Sequence, residues 1–115
     1  MNRYLLTLGT SLALAFAIAP ARADVIDGEW CTVDGRHHII IQGPTILTPG
    51  GVRSEGSYTR HTFSYVVPAA ETPAGETVFM TLVNEETVHA RTGPDMASAS
   101  QSPTVVWQRC RRPVS

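Results

Sequence analysis

Short runs rich in apolar, β-branched and aromatic residues recur beyond residue 24, and in the longest run, residues 57–67, apolar and polar positions alternate with the period of two that is typical of half-buried β-strands. This pattern predicts seven strands, over residues 28–33, 37–42, 45–48, 57–67, 76–84, 87–92 and 104–111. The connections between them are too short for crossover helices, so neighbouring strands should run antiparallel. We therefore predict an all-β meander that curls into a barrel or half-barrel, since such a sheet has to bury one face and protect its edges.

Residues that favour turns separate the predicted strands. Asp34-Gly35 is typical of a tight hairpin, and Glu85-Glu86 separates two further strands that should form another. Residues 49–55, 68–75 and 93–103 are rich in Pro, Gly, Ser or Ala and are predicted as loops. On a rigid barrel, such loops are the usual place for recognition.

The first 23 residues have the pattern of a secretory signal peptide. Arg3 precedes an apolar stretch, and the stretch ends at Pro20 and the small-residue triplet Ala21-Arg22-Ala23. We predict cleavage after Ala23, no membrane span, and a periplasmic or secreted domain of residues 24–115. That domain loses two of the nine arginines and none of the ten acidic residues, so its net charge is −3. This charge argues against nucleic acid as a partner.

The two cysteines, Cys31 and Cys110, lie near the two ends of the predicted domain. Export would place them where thiols oxidise, and two cysteines allow one intramolecular pairing. We therefore predict a disulfide that joins the first and last strands, the alternative being two free buried thiols.

Strand parity sorts the residues beside these cysteines. Neighbours in a strand point to opposite faces, so a disulfide on one face puts Trp30, Trp107 and Arg109 on the other. An arginine stacked on Trp30 would contribute a cation–π contact of about 1 kcal/mol and would close one end of the core.

Gly28, Trp30 and Arg109 carry a resemblance to the lipocalin and related calycin barrels, in which a Gly-x-Trp on the first strand packs beneath an arginine from the last strand. The resemblance implies an antiparallel barrel, structural roles for these three residues and for Trp107, and a small apolar or amphipathic ligand. Small periplasmic barrels, including the lysozyme inhibitors of the membrane-bound type, share the size, export and disulfide, and their recognition loop resembles residues 54–58.

The long predicted strand over residues 57–67 supplies candidate contact residues. His61, Phe63 and Tyr65 share its apolar side, which either forms a binding surface or fills the core as in other small barrels. Phe79 and Thr81 are expected to extend that side. Arg53, Tyr58 and Arg60 are candidates for ligand or partner contact near the 49–55 loop.

A catalytic function and a metal site are the less favoured hypotheses. The histidines are His37, His38, His61 and His89, and the adjacent pair must point to opposite faces of a strand. No Gly-x-Ser-x-Gly elbow occurs in the sequence. We predict no catalytic residues, no metal site and no cofactor.

The function expected from the sequence is binding without catalysis, by a monomer or homodimer. The leading hypothesis is a calycin-like exported protein for a small apolar or amphipathic ligand. The alternative is a protein-interaction module, such as an inhibitor of a wall-degrading or proteolytic enzyme. An open apolar cavity would favour the first and a filled interior the second.

Overall fold

The computed structural model describes residues 24–111 of the 115-residue chain. The predicted signal peptide lies outside the described residues. These residues form an all-β, nearly closed antiparallel barrel with one short helix. The elements are β1 Gly28–Thr32, β2 His38–Gln42, β3 Thr45–Leu47, β4 Arg53–Glu55, β5 Ser57–Tyr58, β6 Thr62–Val66, β7 Thr77–Asn84, β8 Thr87–Gly93, α1 Met96–Ala99 and β9 Val105–Arg109.

The strands form one sheet in the order β4-β3-β2-β1-β9-β8-β7-β6-β5. Every pair is antiparallel, and β1 lies beside β9, so the first and last strands meet as predicted. The described sheet has nine strands where the sequence predicted seven. Part of the predicted 49–55 loop is β4, and the long predicted strand breaks into β5 and β6 because residues 59–61 turn between them.

The barrel closes through a corner at Gly56, which joins the two edge strands β4 and β5. The Gly56 amide donates to the Pro44 carbonyl at 2.9 Å, which holds the corner against the turn between β2 and β3. A Cβ at this position would collide with the Ser64 carbonyl oxygen and would lie 2.8 Å from the Phe63 ring. Only glycine lets the chain pass this close to β6 while it changes pairing partner.

The inward positions of the strands form one core. In β1 and β2 these positions are Trp30, Ile39 and Ile41, which are at most 1% exposed. Phe63 pairs with Met80, so Met80 and Val78 point inward from β7, while Phe79 and Thr81 face outward beside β8. The expectation that Phe79 and Thr81 extend the apolar side is wrong, because Val78 and Met80 are the residues that pair with Tyr65 and Phe63.

Two predicted connections differ in detail. The β1–β2 hairpin forms around Asp34-Gly35, but its loop covers residues 33–37; the Asp34 carboxylate accepts hydrogen bonds from the Thr32 hydroxyl and the Arg36 amide. The predicted 93–103 loop contains α1, whose Ala99 is fully buried against the outer side of the barrel. Residues 24–111 contain this one helix, and it is neither long enough nor apolar enough to span a membrane.

The predicted disulfide is present. Cys31 and Cys110 are bonded, with Cα atoms 5.0 Å apart and a sequence separation of 79 residues. It lies on the opposite side of β1 from Trp30, as strand parity requires.

Replacement of both Cys31 and Cys110 by Ser should lower the free energy of unfolding by about 4 kcal/mol, because the crosslink restricts the unfolded chain. Urea unfolding measures this, and dithiothreitol treatment of the unsubstituted protein is the control that should give a similar loss. Two titratable thiols in the oxidised, denatured protein would contradict the assignment.

Gly56→Ala should cost about 2 kcal/mol or more, because the new methyl group overlaps backbone at the barrel corner. Gly35→Ala is the matched control: its φ of +75° strains an alanine, but no atom lies within 4 Å of the added Cβ. We expect the control to cost only about 1 kcal/mol. Equal losses in urea unfolding would show that the corner is not sterically constrained.

Candidate functional site

One end of the barrel is closed by Arg109 and Trp30. The guanidinium lies 4.1 Å from the centre of the Trp30 ring. Its Nη1, Nη2 and Nε donate to three backbone carbonyls, those of Asp27 at 2.7 Å, Val25 at 3.0 Å and Glu85 at 2.9 Å. The planar fork of arginine allows this combination of stacking and several hydrogen bonds, which an ammonium group cannot reproduce.

Gly28 makes room for that guanidinium. Its φ is +130°, and a Cβ there would lie 2.5 Å from Arg109 Nη1. The Gly28, Trp30 and Arg109 positions singled out in the sequence therefore meet in one contact.

The segment before β1 crosses the same end. Ile26 is fully buried, and its carbonyl accepts from Trp30 Nε1 at 2.8 Å. The Asp27 carboxylate accepts from the Gly43 amide at 2.8 Å and from the Tyr58 hydroxyl. An exposed hydrogen-bonded ion pair joins Asp24 to Arg60, which lowers the pKa of Asp24. This end of the barrel is thus covered by the chain itself.

The opposite end is open. Four connections meet there, over residues 33–37, 48–52, 67–76 and 94–104. Between them lies a cavity of about 500 Å³. Its apolar lining comes from inward positions of four strands and the residue after β6: Tyr65, Val67, Val78, Ala90, Val105 and Trp107.

Polar groups stand around the mouth of this cavity. They include Thr32, His37, Glu71, Thr72 and Thr92. Glu71 connects two of the loops, because its Oε2 accepts a hydrogen bond of 2.5 Å from the Thr48 hydroxyl. The site is therefore an apolar cup with a polar rim.

Tyr65 lies where the apolar wall meets the polar rim. Only 7% of the residue is exposed. Burial, with a smaller contribution from the charge on Glu71, raises the pKa of Tyr65 to about 12. The phenol therefore stays protonated, and it can donate or accept a hydrogen bond.

The predicted contact residues are spread over the molecule. Tyr58, Arg60 and His61 lie at the closed end, where Tyr58 and Arg60 fasten the segment before β1. Arg53 is an exposed residue of β4, paired with Leu47. Phe63 is fully buried in the core, and Tyr65 is the member of the set that lines the cavity.

Much of the cavity lining does not stand out in the amino-acid sequence. Val78, Ala90 and Trp107 line it from three different strands, and Glu71 reaches it from a predicted loop. Alternation along β7 and β8 puts Val78 and Ala90 on one face of each strand, but the pairing with neighbouring strands is needed to show that this face points inward. Nothing in the local sequence marks Glu71, whose position depends on the distant Thr48.

Within residues 24–111, no three His, Cys, Asp or Glu side chains are grouped in a way that could hold a metal ion. Comparison with protein-family models, with curated proteins and with solved structures gives no match for this chain.

Arg109→Lys should lower the free energy of unfolding by about 2 kcal/mol and change the near-UV circular dichroism of Trp30, because lysine cannot stack and reach three carbonyls together. Arg91→Lys is the control, since partly exposed Arg91 makes one side-chain hydrogen bond within the described residues, from Nη1 to the Ser100 carbonyl at 2.7 Å. We expect the control to cost less than about 0.5 kcal/mol. An unchanged free energy of unfolding in Arg109→Lys would contradict a stabilising role for the contacts of Arg109 with Trp30 and the three carbonyls.

Proposed function

We propose that this chain is a binding protein for a small apolar or amphipathic molecule, held in the open end of the barrel without chemical conversion. The observation that carries the proposal is the cavity of about 500 Å³, whose volume falls within the range of small-molecule sites, roughly 300–1,000 Å³. Its walls are apolar and its rim is polar, so a ligand would bury its apolar part and keep a polar group at the mouth.

The closed end supports a calycin-like relationship. The Arg109 guanidinium packs on Trp30, with Gly28 beneath it, as the Gly-x-Trp and arginine pattern implies. In a barrel of this kind one end is sealed and the other receives the ligand. This chain has the same division, with the cavity at the end away from Arg109.

An exported location fits the same proposal. The Cys31–Cys110 disulfide requires an oxidising compartment to form and persist, and the predicted signal peptide would deliver the chain there. A periplasmic or secreted binding protein would meet its ligand outside the cytoplasm.

A protein-interaction module is the second candidate, and one observation favours it. Val33 is 73% exposed at the β1–β2 loop, next to the open end. An apolar tip on a hairpin held by a disulfide suits insertion into a partner's groove. Single exposed apolar residues are common on protein surfaces, however, so the cavity carries more weight.

Cavity binding can be tested with the neutral fluorescent probe N-phenyl-1-naphthylamine and an Ala90→Phe variant. Ala90 lines the cavity, so a phenyl group there should occupy ligand space and weaken probe binding at least tenfold. Val66→Phe is the control, because Val66 is 56% exposed and lies outside the cavity lining. Circular dichroism checks the fold of each variant.

The control should bind the probe like the unsubstituted protein. An absence of probe binding by the unsubstituted protein, or equal binding by a folded Ala90→Phe variant, would contradict the proposal.

A further inference from the structure

The charge on the cavity lining is acidic. Among the described residues that line it, Glu71 is the one Asp, Glu, Lys or Arg. An anionic ligand would thus face a carboxylate without a compensating arginine in the lining. A cationic ligand would find an opposite charge at the place where the apolar wall ends.

The Glu71 carboxylate is held in a defined position. Oε2 accepts from the Thr48 hydroxyl, and Thr48 Oγ1 in turn accepts from the Val52 amide at 3.0 Å. The carboxylate lies over Gly50, where a Cβ would come within 2.5 Å of Oε2. The second oxygen, Oε1, accepts no hydrogen bond from any residue in the range 24–111. Such positioning lowers the ordering cost of binding a cation.

Tyr65 supplies a second polar group at the same place. It is 93% buried, as its 7% exposure implies, and it lines the cavity. Its hydroxyl has no hydrogen-bond partner among the described residues. Buried hydroxyls in folded proteins nearly always pair with protein or water, so this hydroxyl, which borders the cavity, is available to a polar group of a ligand.

We propose that the preferred ligand is a cationic amphiphile: a protonated amine that pairs with Glu71 and donates to the Tyr65 hydroxyl, while its apolar body packs against Val67, Val78 and Trp107. This inference rests on the proposed binding function and specifies its ligand class. The Glu71 carboxylate selects the amine over a carboxylate of the same size, and Tyr65 accepts a hydrogen bond from either an ammonium or an alcohol.

Three probes with the same tail separate the charge from the apolar contribution: octylammonium, 1-octanol and octanoate. Isothermal titration calorimetry at pH 8 should give octylammonium an affinity at least tenfold higher than octanol, and octanoate the lowest. Glu71→Gln should bring octylammonium to within threefold of octanol while octanol binding stays unchanged. The glutamine oxygen can still accept from Thr48, so the contact between the loops is kept.

Glu76→Gln is the matched control, because Glu76 belongs to the same connection but does not line the cavity. This variant should keep the tenfold preference for the amine. Tyr65→Phe should weaken octylammonium and octanol alike, about threefold or more, without lowering the melting temperature of the ligand-free protein. A phenol with a structural hydrogen bond would instead destabilise the protein when replaced.

The outcomes distinguish this inference from the proposed function. Octanol binding as tight as octylammonium binding, or an amine preference that survives Glu71→Gln, would overturn the cationic ligand and leave the binding function standing. Failure of all three probes, together with failure of N-phenyl-1-naphthylamine, would overturn both.

Discussion

The contact of Arg109 with Trp30 is the constraint on which the rest of the barrel depends. It joins the last strand to the first and fixes the segment before β1 through the carbonyls of Val25 and Asp27. The disulfide performs the same connection on the opposite side of β1. Together they fix the pairing of β1 with β9 at the centre of the described sheet. With this seam fixed by a stacked cation and a covalent bond, a small domain can keep a barrel whose other end is not filled.

The parts of the structure that follow from local pattern could be predicted from the sequence. Alternation gave the fold class, two cysteines gave the pairing, and strand parity placed Trp30 and Arg109 on one face. Each depends on the period of two within a single strand. The corner at Gly56 was not predictable in this way, because glycine is required there by the approach of Ser64 and Phe63, which belong to another strand.

The cavity illustrates the same limit at the level of function. Its lining combines inward residues of several strands, and the wrong choice of inward face for β7 gave Phe79 in place of Val78. Tyr58 and Arg60 had the composition of contact residues, yet their partners Asp27 and Asp24 lie more than thirty positions away, and these pairs cover the closed end. Residue type alone does not separate a polar group that fastens the fold from one that faces a ligand.

The two ends of the barrel therefore differ in how their polar groups are used. At the closed end, Arg109 and Asp27 are engaged by backbone groups of the chain itself, and the interior is packed with Ile26 and Trp30. At the open end, the buried Tyr65 borders the cavity, and the Glu71 side chain accepts a hydrogen bond through one of its two oxygens. The polar contacts of the closed end join segments of the chain, whereas Tyr65 and the second oxygen of Glu71 keep hydrogen-bonding capacity beside the cavity. A buried polar group without a partner lowers stability, so the proposed binding function gives a physical reason for the position of Tyr65.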